Sequence, residues 1–178
     1  KHPVDPALDA TTSFDYDIEG RVVGLTRPDT AKLIFDYDLA GRLLSTRSED
    51  GERIDYTYDA MSNVLSETVR RADGTKSRGV NRTYDELGRM LSEVLGPGRE
   101  TRWAYDKNGN VTQMTSPRGN ASTNSFDALD RLVTTIAPAA GRTATIYDSQ
   151  SNPSRFTDAN QVATQFTRNG FGDVVQEV

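Results

Sequence analysis

The chain has 178 residues with 21 Lys and Arg against 26 Asp and Glu, a formal charge of -5, which argues against a nucleic-acid backbone as partner because such binding is carried by cations neutralising phosphates. Hydrophobic residues are 35% of the chain and there are 14 glycines, an apolar share below the globular norm, so the expectation is a single curved sheet wet on at least one face. Cysteine is absent, which removes a disulfide framework and any thiolate ligand or nucleophile, and no apolar run approaches the ~18 residues that cross a bilayer, so no membrane insertion by this segment is expected.

In chain order, Lys1-His2-Pro3-Val4-Asp5-Pro6 reads as an extended approach segment, and residues 1–13 as that segment plus the end of a preceding repeat. His2, the only histidine, reads as a solvated residue near a terminus. From residue 14 one phrase recurs. An aromatic-Asp pair stands at Tyr16-Asp17, Tyr37-Asp38, Tyr58-Asp59, Tyr84-Asp85, Tyr105-Asp106, Phe126-Asp127 and Tyr147-Asp148, with a degenerate eighth copy at Arg168-Asn169, at spacings of 21, 21, 26, 21, 21, 21 and 21. A fixed period of this length marks a repeat architecture and is read before local propensity.

Four residues after the aromatic comes Gly20, Gly41, Gly88, Gly109 or Gly172, with Ser62, Asp130 and Ser151 as substitutes. The next seat holds Arg21, Arg42, Asn63, Arg89, Asn110, Arg131, Asn152 and Asp173, and an aliphatic or Met follows in all but Pro153. In Asp-x-x-Gly the carboxylate can accept from backbone N–H groups two residues on, and Gly takes the left-handed conformation that closes a three-residue hairpin with a bulge. A second turn signal recurs at Arg27-Pro28-Asp29, Glu49-Asp50-Gly51, Gly96-Pro97-Gly98, Pro117-Arg118-Gly119 and Pro138-Ala139-Ala140-Gly141. Two turns per unit leave two short strands, and alternation puts Leu33, Phe35 and Tyr37 on one face, as it does Ile54, Tyr56 and Tyr58. The fold class is therefore all-β, a tandem of antiparallel hairpins of about 21 residues laid side by side in a curved ribbon.

Two places depart from the beat. Around Val69 to Gly79 the unit gains five residues, read as one lengthened hairpin nucleated by Asp73-Gly74; its Arg70, Arg71, Lys76 and Arg78 are candidate contacts for an acidic partner. Trp103 occupies a seat that Phe35, Tyr56 and Phe166 hold elsewhere, which favours packing over a sugar-stacking platform. From Phe126 onward the pattern weakens: Asn124 and Thr145 fill aromatic seats, and Pro153 should interrupt or bulge its strand, giving a looser edge.

Catalytic readings fail on the residues. A carboxylate pair could do glycosidase chemistry, but a pair is needed once and these carboxylates recur in every unit. Asp106-Lys107-Asn108-Gly109-Asn110 lacks the ligand count and distal Glu of a calcium loop, and neither a nucleophile elbow nor a dinucleotide-binding loop is present. No cofactor or metal is expected.

The Tyr-Asp tandem with its Gly-Arg-Leu or Gly-Asn-Val continuation resembles the YD-repeat, or Rhs, family over nearly the whole chain. That resemblance implies hairpins in a long ribbon that spirals into a hollow β-shell, as in bacterial polymorphic toxins, insecticidal toxin-complex C subunits and teneurins; in the bacterial members the shell encloses a C-terminal toxin domain and the protein is exported. The implied partners are further repeats and the toxin cargo. The Asp-Pro-x-Gly signature that releases the toxin is missing, since Leu95-Gly96-Pro97-Gly98 lacks the aspartate, so autoproteolysis and toxicity are not carried over. At about 4.8 Å per strand, fourteen to fifteen strands make a ribbon about 70 Å long, too short to surround a compact cargo of about 35 Å, so the expected role is one panel of the wall. Polar seats at Ser45, Ser66, Ser92, Gln113 and Thr134 suit a wall facing water or an unfolded cargo. The alternative is an extracellular adhesion or glycan-binding surface, with carbohydrate as partner; an aromatic stripe standing free on a face would favour it.

Overall fold

A computed structural model describes residues 11–178; the readings of His2 and the approach segment lie outside them. Among the described residues every regular element is a strand, sixteen in all, and these residues divide into two compact units, one up to residue 84 with 94–96 and the other 85–93 with 97–178. The first holds β1 (Ser13–Tyr16), β2 (Val22–Thr26), β3 (Lys32–Tyr37), β4 (Leu43–Ser48), β5 (Arg53–Tyr58), β6 (Val64–Arg70) and β7 (Lys76–Tyr84). The second holds β8 (Met90–Val94) except its last residue, β9 (Glu100–Tyr105), β10 (Val111–Thr115), β11 (Ala121–Phe126), β12 (Leu132–Ala137), β13 (Gly141–Tyr147), β14 (Pro153–Thr157), β15 (Ala163–Arg168) and β16 (Val174–Glu177). Within each unit the strands are antiparallel and follow one another in chain order.

The two kinds of turn lie on opposite edges of each unit. At the first turn the Asp17 N–H donates to the Arg21 carbonyl and the Gly20 N–H to the Asp17 carbonyl, at 3.0 and 3.1 Å, with Gly20 at φ +80. This is the three-residue hairpin whose left-handed residue forms a bulge, and the register accordingly shifts between Asp15 and Tyr16. The same seat is left-handed where it is not glycine, at Ser62, Asp130 and Ser151. Second turns repeat the scheme, as in Arg27 N–H to Ala31 carbonyl with Thr30 at φ +68. The long unit spends its extra residues on strand length, seven in β6 and nine in β7, around an Asp73-Gly74 turn with Gly74 at φ +80.

The ladders are uneven along their length. Inside a first-turn hairpin, β3 and β4 pair from Leu33–Ser48 to Tyr37–Leu43. Between hairpins, β2 and β3 pair only at Gly24–Ile34, Leu25–Leu33 and Thr26–Lys32, and β4 with β5 only at Ser45–Asp55, Thr46–Ile54 and Arg47–Arg53. Neighbouring hairpins are zipped at the second-turn edge and splayed at the first. The residue opening each outgoing strand, Val22 or Leu43, lies beyond the inter-hairpin ladder.

No thick core forms. Among the described large apolar side chains only Val80 is buried, and the one fully buried side chain is Ser45. The aromatic face is half-buried and gains shielding from neighbours on the same face, Phe35 beside Thr46 and Trp103 beside Met114. The opposite face of the first unit neutralises itself: the Ser45 hydroxyl donates to Asp36 Oδ2 at 2.6 Å, Asp55 takes both Arg53 and Arg70, and Lys32 reaches Asp15 at 3.9 Å. At Gly24 beside them a Cβ would meet Asp15 Oδ2 at 2.5 Å, so the Asp15 carboxylate would have to shift to admit a side chain.

One expectation needs correction. Ser45 does not face water, because it lies opposite Asp36 on one side and Asp55 on the other and is covered by them. Of the two outcomes expected at Pro153, the bulge is present, as a register shift where it pairs with Tyr147, and the strand is not interrupted, because Pro153 is the first residue of β14, a position where proline is tolerated.

Candidate functional site: the seam between repeats

The recurring residues converge on one structure, a seam that fastens each hairpin to the next at the splayed edge. It begins with the aspartate. Asp38 Oδ1 accepts from the N–H groups of Ala40 and Arg42, both at 2.9 Å, which fixes the turn, while Oδ2 accepts from Arg42 Nε at 2.6 Å. Asp17, Asp85 and Asp127 bind Arg21, Arg89 and Arg131 in the same way; Asp59 and Asp106 bind Asn63 and Asn110, and Asp148 caps through the Gln150 and Asn152 N–H groups. These bonds favour the ionised carboxylate. The carboxyls of Asp17, Asp38, Asp85 and Asp148 are lowered first by the backbone N–H four residues on, and those of Asp59, Asp106 and Asp127 first by the Asn or Arg side chain there.

Once held, the arginine crosses to the next repeat. Arg42 Nη1 donates to the Asp59 carbonyl at 2.9 Å and Arg89 Nη1 to that of Asp106 at 2.9 Å. The guanidinium also lies over the next repeat's tyrosine, 4.5–5.0 Å from the ring centre in Arg21–Tyr37, Arg42–Tyr58, Arg89–Tyr105 and Arg131–Tyr147, a cation–π geometry. Where the glycine seat is polar it receives a further bond: Ser151 Oγ from Arg131 at 3.1 Å, and Asp130 Oδ1 from Asn108 and Asn110 at 2.7 Å each.

The tyrosine completes the seam. Its hydroxyl donates to the carbonyl that the splayed ladder leaves over: Tyr37 to Val22 at 2.9 Å, Tyr58 to Leu43 at 2.7 Å, Tyr84 to Val64 at 3.1 Å, Tyr105 to Met90 at 2.8 Å and Tyr147 to Leu132 at 2.9 Å. Phe126 has no hydroxyl, and there Asn124 Nδ2 donates to the Val111 carbonyl at 3.0 Å instead. At the degenerate copy Arg168 Nη2 reaches the Pro153 carbonyl at 3.5 Å. At both substituted tyrosine seats, Phe126 and Arg168, a donor for the same carbonyl is therefore kept.

The candidate partner contacts are dispersed. Arg70 is engaged by Asp55 at 2.9 Å, while Arg71, Lys76 and Arg78 are exposed around the long hairpin. Trp103 is half-buried and does not stand free as a stacking platform. Tyr16 is 61% exposed. Among the described residues no group of three or more His, Cys, Asp or Glu is placed to hold a metal. Sequence reasoning missed the Arg–Tyr stack, although its signal is present: each of Arg21, Arg42, Arg89 and Arg131 is followed sixteen residues later by tyrosine, whereas Asn110 is followed by Phe126 and Asn152 by Arg168.

A family model described as RHS Repeat matches residues 37–76 and 84–121. These are Rhs repeats. The same seam recurs where the family model does not match throughout, at Arg21–Tyr37 and Arg131–Tyr147. Among solved structures the chain is similar to a crystal structure of TcdB2–TccC3–Cdc42, at 16% identity and TM-score 0.67, over 90% of this chain and 10% of that one. A Photorhabdus luminescens Tc holotoxin pore structure matches at 12% identity and TM-score 0.47, over 94% of this chain and 13% of that one. The chain thus spans about a tenth of the length of the structures it resembles. No curated protein matches it.

Proposed function

We propose that this segment is a structural panel in the wall of a hollow Rhs shell that encloses and protects a C-terminal toxin domain of an exported bacterial protein. The observation that carries the reading is the seam itself: a recurrent fastening of hairpin to hairpin within each unit suits a wall, and the recurrent carboxylates are committed to turns rather than gathered into a reactive cluster. The likeness in fold to a TccC3-containing structure supports the same reading. The half-burial of Phe35, Tyr56 and Trp103 favours this reading over a glycan-binding surface. Limited proteolysis tests the proposal, with the parent polypeptide compared intact and after deletion of whole repeats from residues 14–178 while the C-terminal domain is followed. The domain is expected to resist protease only when the repeats are present. Equal resistance in both would overturn the container reading for this segment.

A further inference from the structure

On the sheet face opposite the aromatic seats, basic side chains are met by carboxylates at several points. Arg53 and Arg70 share Asp55, Lys32 reaches Asp15, and Arg102 meets Glu100 at 2.8 Å. From β10 to β15, by contrast, no strand residue is Asp or Glu. Arg142 on β13 and Arg155 on β14 stand in that stretch, both exposed, and neither has an ion pair or hydrogen bond among the described residues. The turns before and after β14 supply Asp148 and Asp158, and both spend Oδ1 on N–H groups of their own turns.

The two arginines line one cleft of about 310 Å³ together with Ala144, Ile146, Thr157 and Gln161. Register fixes their arrangement. Ala144 lies opposite Thr157 and Ile146 opposite Arg155, so the arginines stand at the two ends, about 13 Å apart along the strand direction for four residues of rise, with the small Ala144–Thr157 pair between them. Ile146 is 55% exposed and adds an apolar contact beside Arg155. Two uncompensated guanidinium groups select a ligand with two anionic groups, and their planar forks match carboxylates. Carboxylates four residues apart on an extended chain have the same spacing and point the same way, as does the side chain midway between them. A cleft this open leaves the rest of such a chain in water, whereas a small molecule would bury too little of its surface there.

We propose that the β13–β14 cleft docks an acidic, extended segment of a partner protein, with one carboxylate on Arg142, one on Arg155 and an apolar side chain between them against Ala144 and Ile146. Arginine beside exposed apolar surface is the usual make-up of an interface anchor. The inference does not depend on the segment being part of a shell.

The probe is an end-capped, fluorophore-labelled peptide carrying Glu-Ser-Leu-Ser-Glu, with Gln-Ser-Leu-Ser-Gln as its uncharged counterpart, each titrated with the parent polypeptide and read by fluorescence anisotropy. The acidic peptide is expected to bind about tenfold more tightly than its counterpart, and Arg142→Gln and Arg155→Gln are each expected to weaken it about tenfold. Arg118→Gln removes the same charge from an exposed second-turn seat of the same unit and is expected to leave binding unchanged. Because neither cleft arginine holds another residue, both cleft variants should keep the parent's urea midpoint. Equal affinity for the two peptides would overturn the proposal, as would binding untouched by both cleft variants. An equal loss in Arg118→Gln would also reject it, since net charge alone would then attract the peptide. Displacement of the peptide by citrate, at matched ionic strength and comparable concentration, would replace the docked chain with a small anion and so reject the partner protein.

Discussion

The chemistry of the array is set by a single backbone carbonyl. Because neighbouring hairpins part before the first-turn edge, the carbonyl opening each outgoing strand has no ladder partner, and an unmet, partly buried acceptor costs on the order of 1–3 kcal/mol. Tyr37, Tyr58, Tyr84, Tyr105 and Tyr147 meet it with a hydroxyl. At Val111 the donor is Asn124, itself held by Thr135 Oγ1 at 3.0 Å. Asn124→Ala should therefore lower stability by about 1 kcal/mol, read as a fall in the urea midpoint, and Phe126→Tyr in that background should recover most of the loss. Phe126→Tyr alone should gain little, since the carbonyl is already served. A double variant as weak as Asn124→Ala would show that the carbonyl is not the reason for the tyrosine.

At the level of the hairpin, the turn tolerates exchange of its two polar partners provided that they remain complementary. In the eighth copy Asn169 Oδ1 accepts from the Phe171 and Asp173 N–H groups at 2.9 and 3.0 Å, and Asn169 Nδ2 donates to Asp173 Oδ2 at 3.1 Å. This is the Asp59–Asn63 arrangement with the roles reversed. Asp59→Asn should destabilise because two amide groups then compete across the turn, and Asn63→Asp should do so because two carboxylates repel. The double exchange should recover stability, giving a coupling of roughly 0.5–3 kcal/mol in a double-mutant cycle; additive losses would reject the pairing. Turns, strand alternation and the Gly-seat substitutes are legible in the sequence because each arises from local backbone chemistry within a few residues. The Arg–Tyr stack, the replacement of the Phe126 hydroxyl by Asn124 and the burial of Ser45 are not, since all three arise between strands and depend on where the ladder splays. Composition indicates the thin core, and Val80 as the lone buried aliphatic among the described residues agrees.

Over the whole molecule, stability rests on many equal fastenings rather than on one core, and this shapes its response to pH. The seam carboxyls Asp17, Asp38, Asp59, Asp85, Asp106, Asp127 and Asp148 all sit below their ordinary value, held there by backbone N–H groups and by the Arg or Asn four residues on. In the interval between the native and ordinary values the unfolded chain binds more protons than the folded one, so stability rises with pH through that interval. Their contribution is complete above the ordinary aspartate value of about 4 and is lost as pH falls through the lowered native values. His2 is the only histidine, so the urea midpoint should be flat from about pH 8 to 5 and then fall. Because the carboxyls are shared between both units, the fall should extend along the array and not be confined to one end, as hydrogen exchange measured repeat by repeat at pH 7 and pH 3 can establish. Loss of protection in a single repeat, with the others unchanged, would mean that one site and not the common seam governs acid sensitivity.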